Sequence, residues 1–306
     1  MMSTIRNVRT PSNGLEFETL IAGNEGAPLV LFLHGFPEYA GAWSDMLPRF
    51  ANTHLAVAPN QRGYATSSKP AGVDNYRVQD LAKDMLDLAA IYAIGKPFHL
   101  VAHDWGASVA YMMAFMAPQR IASLTVMNGV HPIPFQNALI NDADQRTASQ
   151  YVRFLRRDDS AKILAENNFT RVLEMLSRGF DGGRWMTDDM RRGYLHAWGQ
   201  PGAMEAMVSW YKATPLVVAA PGETIAVDPM AGLDRLKLRV RMPHQVIWGM
   251  QDRALLPVSR EGLADLCDDL TLHEFPDADH WIIHQKPDEV AALIAAFLEK
   301  HKARVA

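Results

Sequence analysis

The sequence predicts an α/β fold built on a mainly parallel sheet flanked by helices, and three observations carry that prediction. Apolar runs of strand length alternate with helix-spaced apolar positions along much of the chain. One such run ends at an acidic residue set between small neighbours and turns at once into a helix-like segment. Strand periodicity then stops between about 133 and 232 and resumes afterwards. In order, 15–22 and 29–33 read as early strands, and 54–59, 97–103 and 121–128 add further apolar runs. Among them, Val78, Leu81, Met85 and Leu88 are spaced for one buried helix face. Beyond the interruption, 244–249 and 270–276 read as strands. Val290, Leu293, Ile294, Phe297 and Leu298 then fall at i, i+3, i+4, i+7 and i+8 of a packing helix. The stretch 133–232 carries scattered aromatics, Arg-bearing helical segments and Gly/Pro breaks at 179–183, 199–202 and 221–222, so it reads as an insertion. The expected division is a core of 1–132 and 233–306 with a helical insertion at 133–232.

Residues 98–106, FHLVAHDWG, have the make-up of a nucleophile elbow with Asp104 at the turn. Ala102 and Gly106 flank it at minus two and plus two, where a strained strand-to-helix turn leaves no room for larger side chains. A serine here would have to lose a proton before attacking. A carboxylate is already ionised near neutral pH and can displace a leaving group from saturated carbon, leaving an alkyl ester on the enzyme. Asp is also a favoured helix N-cap, and on this segment alone that reading stays open.

Residues 29–37, LVLFLHGFP, form a buried-strand run that stops at His34-Gly35. The backbone N–H groups of Phe36 and Trp105 would make a two-donor oxyanion hole. Pro37 restricts Phe36 to extended backbone. Asp252 sits in the loop after 244–249, and the loop PDADHW sets His280 before a helix. Parallel sheets gather their chemistry at the carboxyl ends of strands, so Asp104, Asp252 and His280 can converge. Their chain order, nucleophile then acid then histidine, is that of the α/β-hydrolase fold. His34, Pro37, Trp105 and Trp210 are the candidate pocket residues, with His34 read chiefly as a brace for its loop.

HGFPE at 34–38, HDWG at 103–106, WGMQDRALLP at 248–257 and DADHW at 277–281 together resemble the α/β-hydrolase-fold epoxide hydrolases, over about 15–300 of the chain. The resemblance implies an eight-stranded sheet with the helical insertion as a lid after strand 6, and two lid tyrosines, here Tyr151 and Tyr211. Two departures are Ala102, where the family more often has Gly, and Ser209-Trp210-Tyr211-Lys212, where Asn-Trp-Tyr-Arg is commoner. It further implies an epoxide opened by Asp104 with the two phenols supporting the ring oxygen. Water activated by His280 and Asp252 would then hydrolyse the ester to a vicinal diol. The implied partners are a small-molecule epoxide and water, with no metal and no organic cofactor.

Composition is consistent with this. At 306 residues and 48% apolar content the chain can bury a large core. A net charge of −4 gives no electrostatic reason to expect nucleic acid or an acidic membrane as partner. The lone Cys267 rules out an internal disulfide, no apolar run is long enough to span a bilayer, and the expected location is the cytoplasm. Arg153, Arg156 and Arg157 read as a solvated helix face. His103 reads as structural, on the opposite side of its strand from Asp104, and Asn128 lacks the charge to replace Asp252. His284 lies four residues past His280 but has no HExxH pattern or third ligand, so it reads as a helix-face histidine. Two other functions stay open. A haloalkane dehalogenase would use the same Asp nucleophile with Trp105 as a halide donor and one of Trp185, Trp198 or Trp210 as a second. A noncatalytic binding protein could retain the same pocket.

Overall fold

The computed structural model describes residues 4–305. Eight strands form one sheet: β1 Arg6–Ser12, β2 Leu15–Ala22, β3 Leu29–Leu33, β4 Leu55–Pro59, β5 Phe98–His103, β6 Ile121–Met127, β7 His244–Gly249 and β8 Leu270–Phe275. Their order is β1-β2-β4-β3-β5-β6-β7-β8. β1 and β4 each pair antiparallel with β2, and all other neighbours run parallel. The seven strands read from sequence lie within a residue of these bounds; β1 was not among them. Arg6, Asn7, Arg9 and Pro11 are exposed there and only Thr10 and Ser12 are buried, so this edge strand presents no apolar run to detect.

β3 explains why the sheet needs cover on both faces. Leu29, Leu31 and Leu33 pack with Leu81, Met85 and Leu88 of helix Val78–Tyr92, whereas Val30 and Phe32 pack with Val290, Ile294 and Leu298 of helix Pro287–Lys300. Fully burying each such side chain contributes about 1.5–3 kcal/mol, which holds a strand with no polar face between the two helix layers. The parallel strands all point their carboxyl ends to one edge, where the loops after β3, β5, β6, β7 and β8 meet.

Between β6 and β7 lie helices Pro132–Asn141, Ala143–Ala148, Gln150–Leu155, Ser160–Ser177, Asp188–Trp198 and Ala203–Ala213. Ser160–Ser177 is broken at Glu166–Phe169, where the backbone leaves helical geometry. One sequence expectation needs correction here. Arg156 is not a solvated residue: its guanidinium donates to the carbonyls of Tyr211, Thr214 and Leu216. Arg153 likewise donates to the Val218 carbonyl. These bonds tie the helix carrying Tyr151 to the one carrying Tyr211. Arg157 is exposed and pairs with Asp159.

Candidate active site

Asp104 caps the end of β5 with φ 50 and ψ −123, a left-handed-side backbone that a non-glycine residue adopts at a cost of about 1–3 kcal/mol. The turn survives because its surroundings are stripped of side chains. A Cβ on Gly106 would overlap the Leu33 carbonyl, and one on Gly35 would overlap the Asp104 carboxylate. With that space free, the Phe36 N–H donates to Asp104 Oδ1 at 2.7 Å. Trp105 opens helix Trp105–Met116, so its N–H has no acceptor within the helix. The Phe36–Pro37 peptide is cis.

His280 stands between two carboxylates. Its Nδ1–H donates to Asp252 Oδ2 at 2.7 Å, and its Nε2 is 3.4 Å from Asp104 Oδ2. Asp252 is buried and fully engaged. Oδ1 accepts the N–H groups of Ala254 and Leu255 at 2.8 and 2.9 Å, and Oδ2 also accepts Asn128 Nδ2–H at 2.8 Å. Burial alone would push this carboxyl up, but the His280 charge and these donors outweigh it and hold it below the usual carboxylate range. Burial would likewise depress His280. The charge of Asp252, then the hydrogen bond to Asp104, reverse that effect and raise it well above an ordinary histidine.

Tyr151 and Tyr211 face Asp104 from the insertion, with ring centroids 6.1 Å apart, and Tyr211 packs edge-on against Phe36 and Trp105 at 5.1 Å each. Both phenols are pushed up by burial. The Asp104 charge adds to the rise in both, after the Tyr151 neighbour in the case of Tyr211. They therefore stay protonated and remain donors.

Two cavities meet at Asp104, Tyr151 and Tyr211. One, of about 270 Å³, is bordered by Pro37, Met175, Arg178, Arg253, Asp279 and His280. The other, of about 320 Å³, is bordered mainly by carbon-rich side chains, among them Trp105, Met112, Phe115, Phe135, Leu216 and Leu255.

Pro37 borders the first cavity and Trp105 the second, whereas His34 and Trp210 border neither. His34 is buried below the site. Its Nδ1–H donates to the Gly35 carbonyl and its Nε2 accepts the Gln61 N–H, and burial pushes it down to about 4, so it is a neutral brace. Trp210 is buried with its indole N–H on the Arg62 carbonyl and stands edge-on to Trp105 at 5.7 Å, behind the wall rather than in it.

Sequence reasoning missed the supports. Glu38 is buried and accepts from Tyr194 O–H at 2.6 Å and His284 Nε2–H at 2.7 Å, with His103 Nδ1 3.2 Å away. His103 Nε2–H in turn donates to the His280 carbonyl at 2.7 Å. Gln145 grips the Asp252 loop through the Ala254 carbonyl and the Leu256 N–H. The position of Glu38 inside HGFPE was the available signal; Gln145 carried none. No group of three or more His, Cys, Asp or Glu arranged for a metal occurs among the described residues, and no helix among them is long and apolar enough to cross a membrane.

A family model described as alpha/beta hydrolase fold matches residues 28–287. The AB hydrolase superfamily protein YfhM of Bacillus subtilis is 30% identical over 290 residues, covering 94% of this chain and 96% of its own. Epoxide hydrolase 4 of Mus musculus is 28% identical, covering 97% and 80%. Among solved structures, a Bacillus megaterium epoxide hydrolase in complex with an inhibitor superposes with a TM-score of 0.85 at 27% identity, over 95% of this chain and 100% of that one. One of the novel epoxide hydrolases from metagenomes of hot environments also gives 0.85, at 33% identity over 97% and 99%. The elbow at Asp104, the sheet order and these matches along nearly the whole chain agree: the protein belongs to the α/β-hydrolase fold family, and several of its relatives there are named epoxide hydrolases.

Proposed function

We propose that this protein hydrolyses an epoxide to a vicinal diol through an alkyl ester on Asp104, with residues 133–232 acting as the lid over the site. The observation that carries this reading is the meeting of an elbow carboxylate, rather than a hydroxyl, with two protonated phenols at one junction of the cavities. Asp104 attacks an epoxide carbon from behind and the carbon–oxygen bond breaks. The ring oxygen takes a proton from one phenol, which is recovered from the His280 imidazolium. Esterification removes the Asp104 charge, one of the influences favouring the protonated ring, so His280 gives up its proton more readily and is neutral when it must accept one from water. It then takes a proton from water, the hydroxide adds to the ester carbonyl, and the Phe36 and Trp105 N–H groups hold the oxyanion. Collapse expels the diol oxygen, which takes the proton of the new carboxyl. Asp104 is regenerated and His280 is again protonated.

Halide release is less well supported. The indole N–H groups of Trp198 and Trp210 are committed to the Pro37 and Arg62 carbonyls, and Trp185 does not border either cavity. The test is trapping. His280→Gln should be alkylated by styrene oxide and stop there, giving an adduct of the substrate's mass on the peptide containing Asp104. An unmodified variant that still turns over would refute the scheme, and halide release from a haloalkane panel would move the assignment to a dehalogenase.

A further inference from the structure

Residues 178–186 of the insertion start at the cavity beside His280, which Arg178 and Gly179 border. Among the described residues a single hydrogen bond joins this stretch to the core: Phe180 N–H donates to Asp279 Oδ2. Asp279 is itself fixed on the core side. Its Oδ1 accepts the Trp281 N–H at 2.9 Å, its own N–H donates to Gln285 Oε1 at 2.8 Å, and the side chain is buried. A Cβ on Gly179 would overlap Oδ2, so glycine is what lets the stretch approach. The stretch has a second support, Trp185 stacked on His284 at 4.2 Å and 5.9 Å from Trp281. Both supports stand on residues 279–284, the loop that carries His280. Between the two supports, Gly182 and Gly183 hold positive φ values of 69 and 75, a turn that glycine makes without strain.

We propose that Asp279 is a positioning residue whose carboxylate latches the insertion's 178–186 stretch to the His280 loop, so that closing the cavity and seating the base are one event. Its kinetic consequence rests on the epoxide-hydrolase reading above; the latch itself does not. Each carboxylate oxygen accepts one N–H, one from each side. Asparagine would keep the shape but turn an amide donor against one of those N–H groups.

The test loosens the latch from both sides. Asp279→Asn alters the core partner, and Gly179→Ala changes only the insertion's side of the contact, setting a methyl against Asp279 Oδ2. Amide hydrogen exchange over 178–186 reports closure, and single-turnover rates with styrene oxide separate alkylation from ester hydrolysis. Both variants should exchange faster over 178–186, hydrolyse the ester about tenfold more slowly because the base is misplaced, and alkylate close to the parent rate. Unchanged exchange would overturn the latch. Faster exchange with parent-like hydrolysis, or slowed hydrolysis in Asp279→Asn alone, would overturn the coupling. If the parent forms no ester at all, the epoxide reading fails while the exchange comparison still decides the latch.

Discussion

Replacing Asp252 by Asn keeps the side chain's shape and inverts part of its hydrogen bonding. In the parent, two oxygens accept four donors: Ala254 N–H, Leu255 N–H, Asn128 Nδ2–H and His280 Nδ1–H. An amide has one acceptor oxygen. Left on the two backbone N–H groups, it turns its NH₂ toward His280 and Asn128. Asn128 cannot flip to relieve this, because its Oδ1 already accepts the Gly249 N–H at 2.8 Å. The imidazole responds by carrying its proton on Nε2, the nitrogen that faces Asp104, so the atom proposed to accept a proton from water is occupied. A wrong tautomer of this kind costs about 10⁴-fold in serine-hydrolase triads, and a loss of that order is expected in ester hydrolysis. Alkylation should stay near the parent rate, since Asp104 and the phenols are untouched. The variant also loses the larger of the influences raising His280, so the pH at which hydrolysis switches on should fall. For stability the sign runs with protonation. A raised histidine stabilises the fold fully below about pH 6.5 and ceases to do so as pH rises through its raised value. The stability gap between variant and parent should therefore be widest below that pH. Rapid-quench single turnovers across pH, followed by mass, measure both rates. Ester hydrolysis at the parent rate with an unshifted midpoint would refute the role of Asp252.

Two further perturbations test other parts of the molecule. Tyr151→Phe and Tyr211→Phe each keep ring volume and remove one donor. Each should slow ester formation by about 10²-fold, as loss of one donor to a developing oxyanion does, with non-additive loss in the double variant because both act on one oxygen; ester formation in the double variant at the parent rate would remove the phenols from the mechanism. Asp84→Ala should strand the buried Arg62 guanidinium, which Asp84 holds by two bonds of 2.6 and 2.7 Å. A cost of about 3–5 kcal/mol, spread over the unfolding entropy of a chain this size, lowers Tm by about 5–8 °C, and calorimetry checks it.

The parts legible in sequence were those with a local signature. β3, β5, β6 and β7 are buried throughout because both faces are covered, and their mostly apolar runs stand out from their neighbours. The elbow was legible because its strain demands small residues at fixed offsets from Asp104. What sequence did not yield depends on contacts between segments far apart in the chain. Trp210 neighbours Tyr211, yet helical geometry turns the two residues to different sides, so one faces the cavity and the other reaches the Arg62 carbonyl. Arg156 lay in an apparently solvated run, but the carbonyls left free at the end of helix Ala203–Ala213 draw it inward. Glu38, His103, Tyr194 and His284 come from four separate stretches and carry no shared pattern until the chain folds.

The two acids flanking His280 differ in a way that would let one residue type take two roles. Asp252 has every lone-pair direction used by a donor and lies wholly out of solvent, so its charge is available to the imidazole but its oxygens are not available to a carbon. Asp104 has Oδ1 anchored by the Phe36 N–H, while Oδ2 has His280 Nε2 at 3.4 Å and accepts no other donor among the described residues, and the residue borders both cavities. In the proposed reaction the anchored oxygen becomes the ester carbonyl, already seated in the oxyanion hole, and the freer one attacks. On that proposal, nucleophile and orienting acid are separated by how many donors each carboxylate has been given, and the donor count follows from backbone geometry: a tight loop with two N–H groups aimed at Asp252, and a strained turn that aims Asp104 into open space.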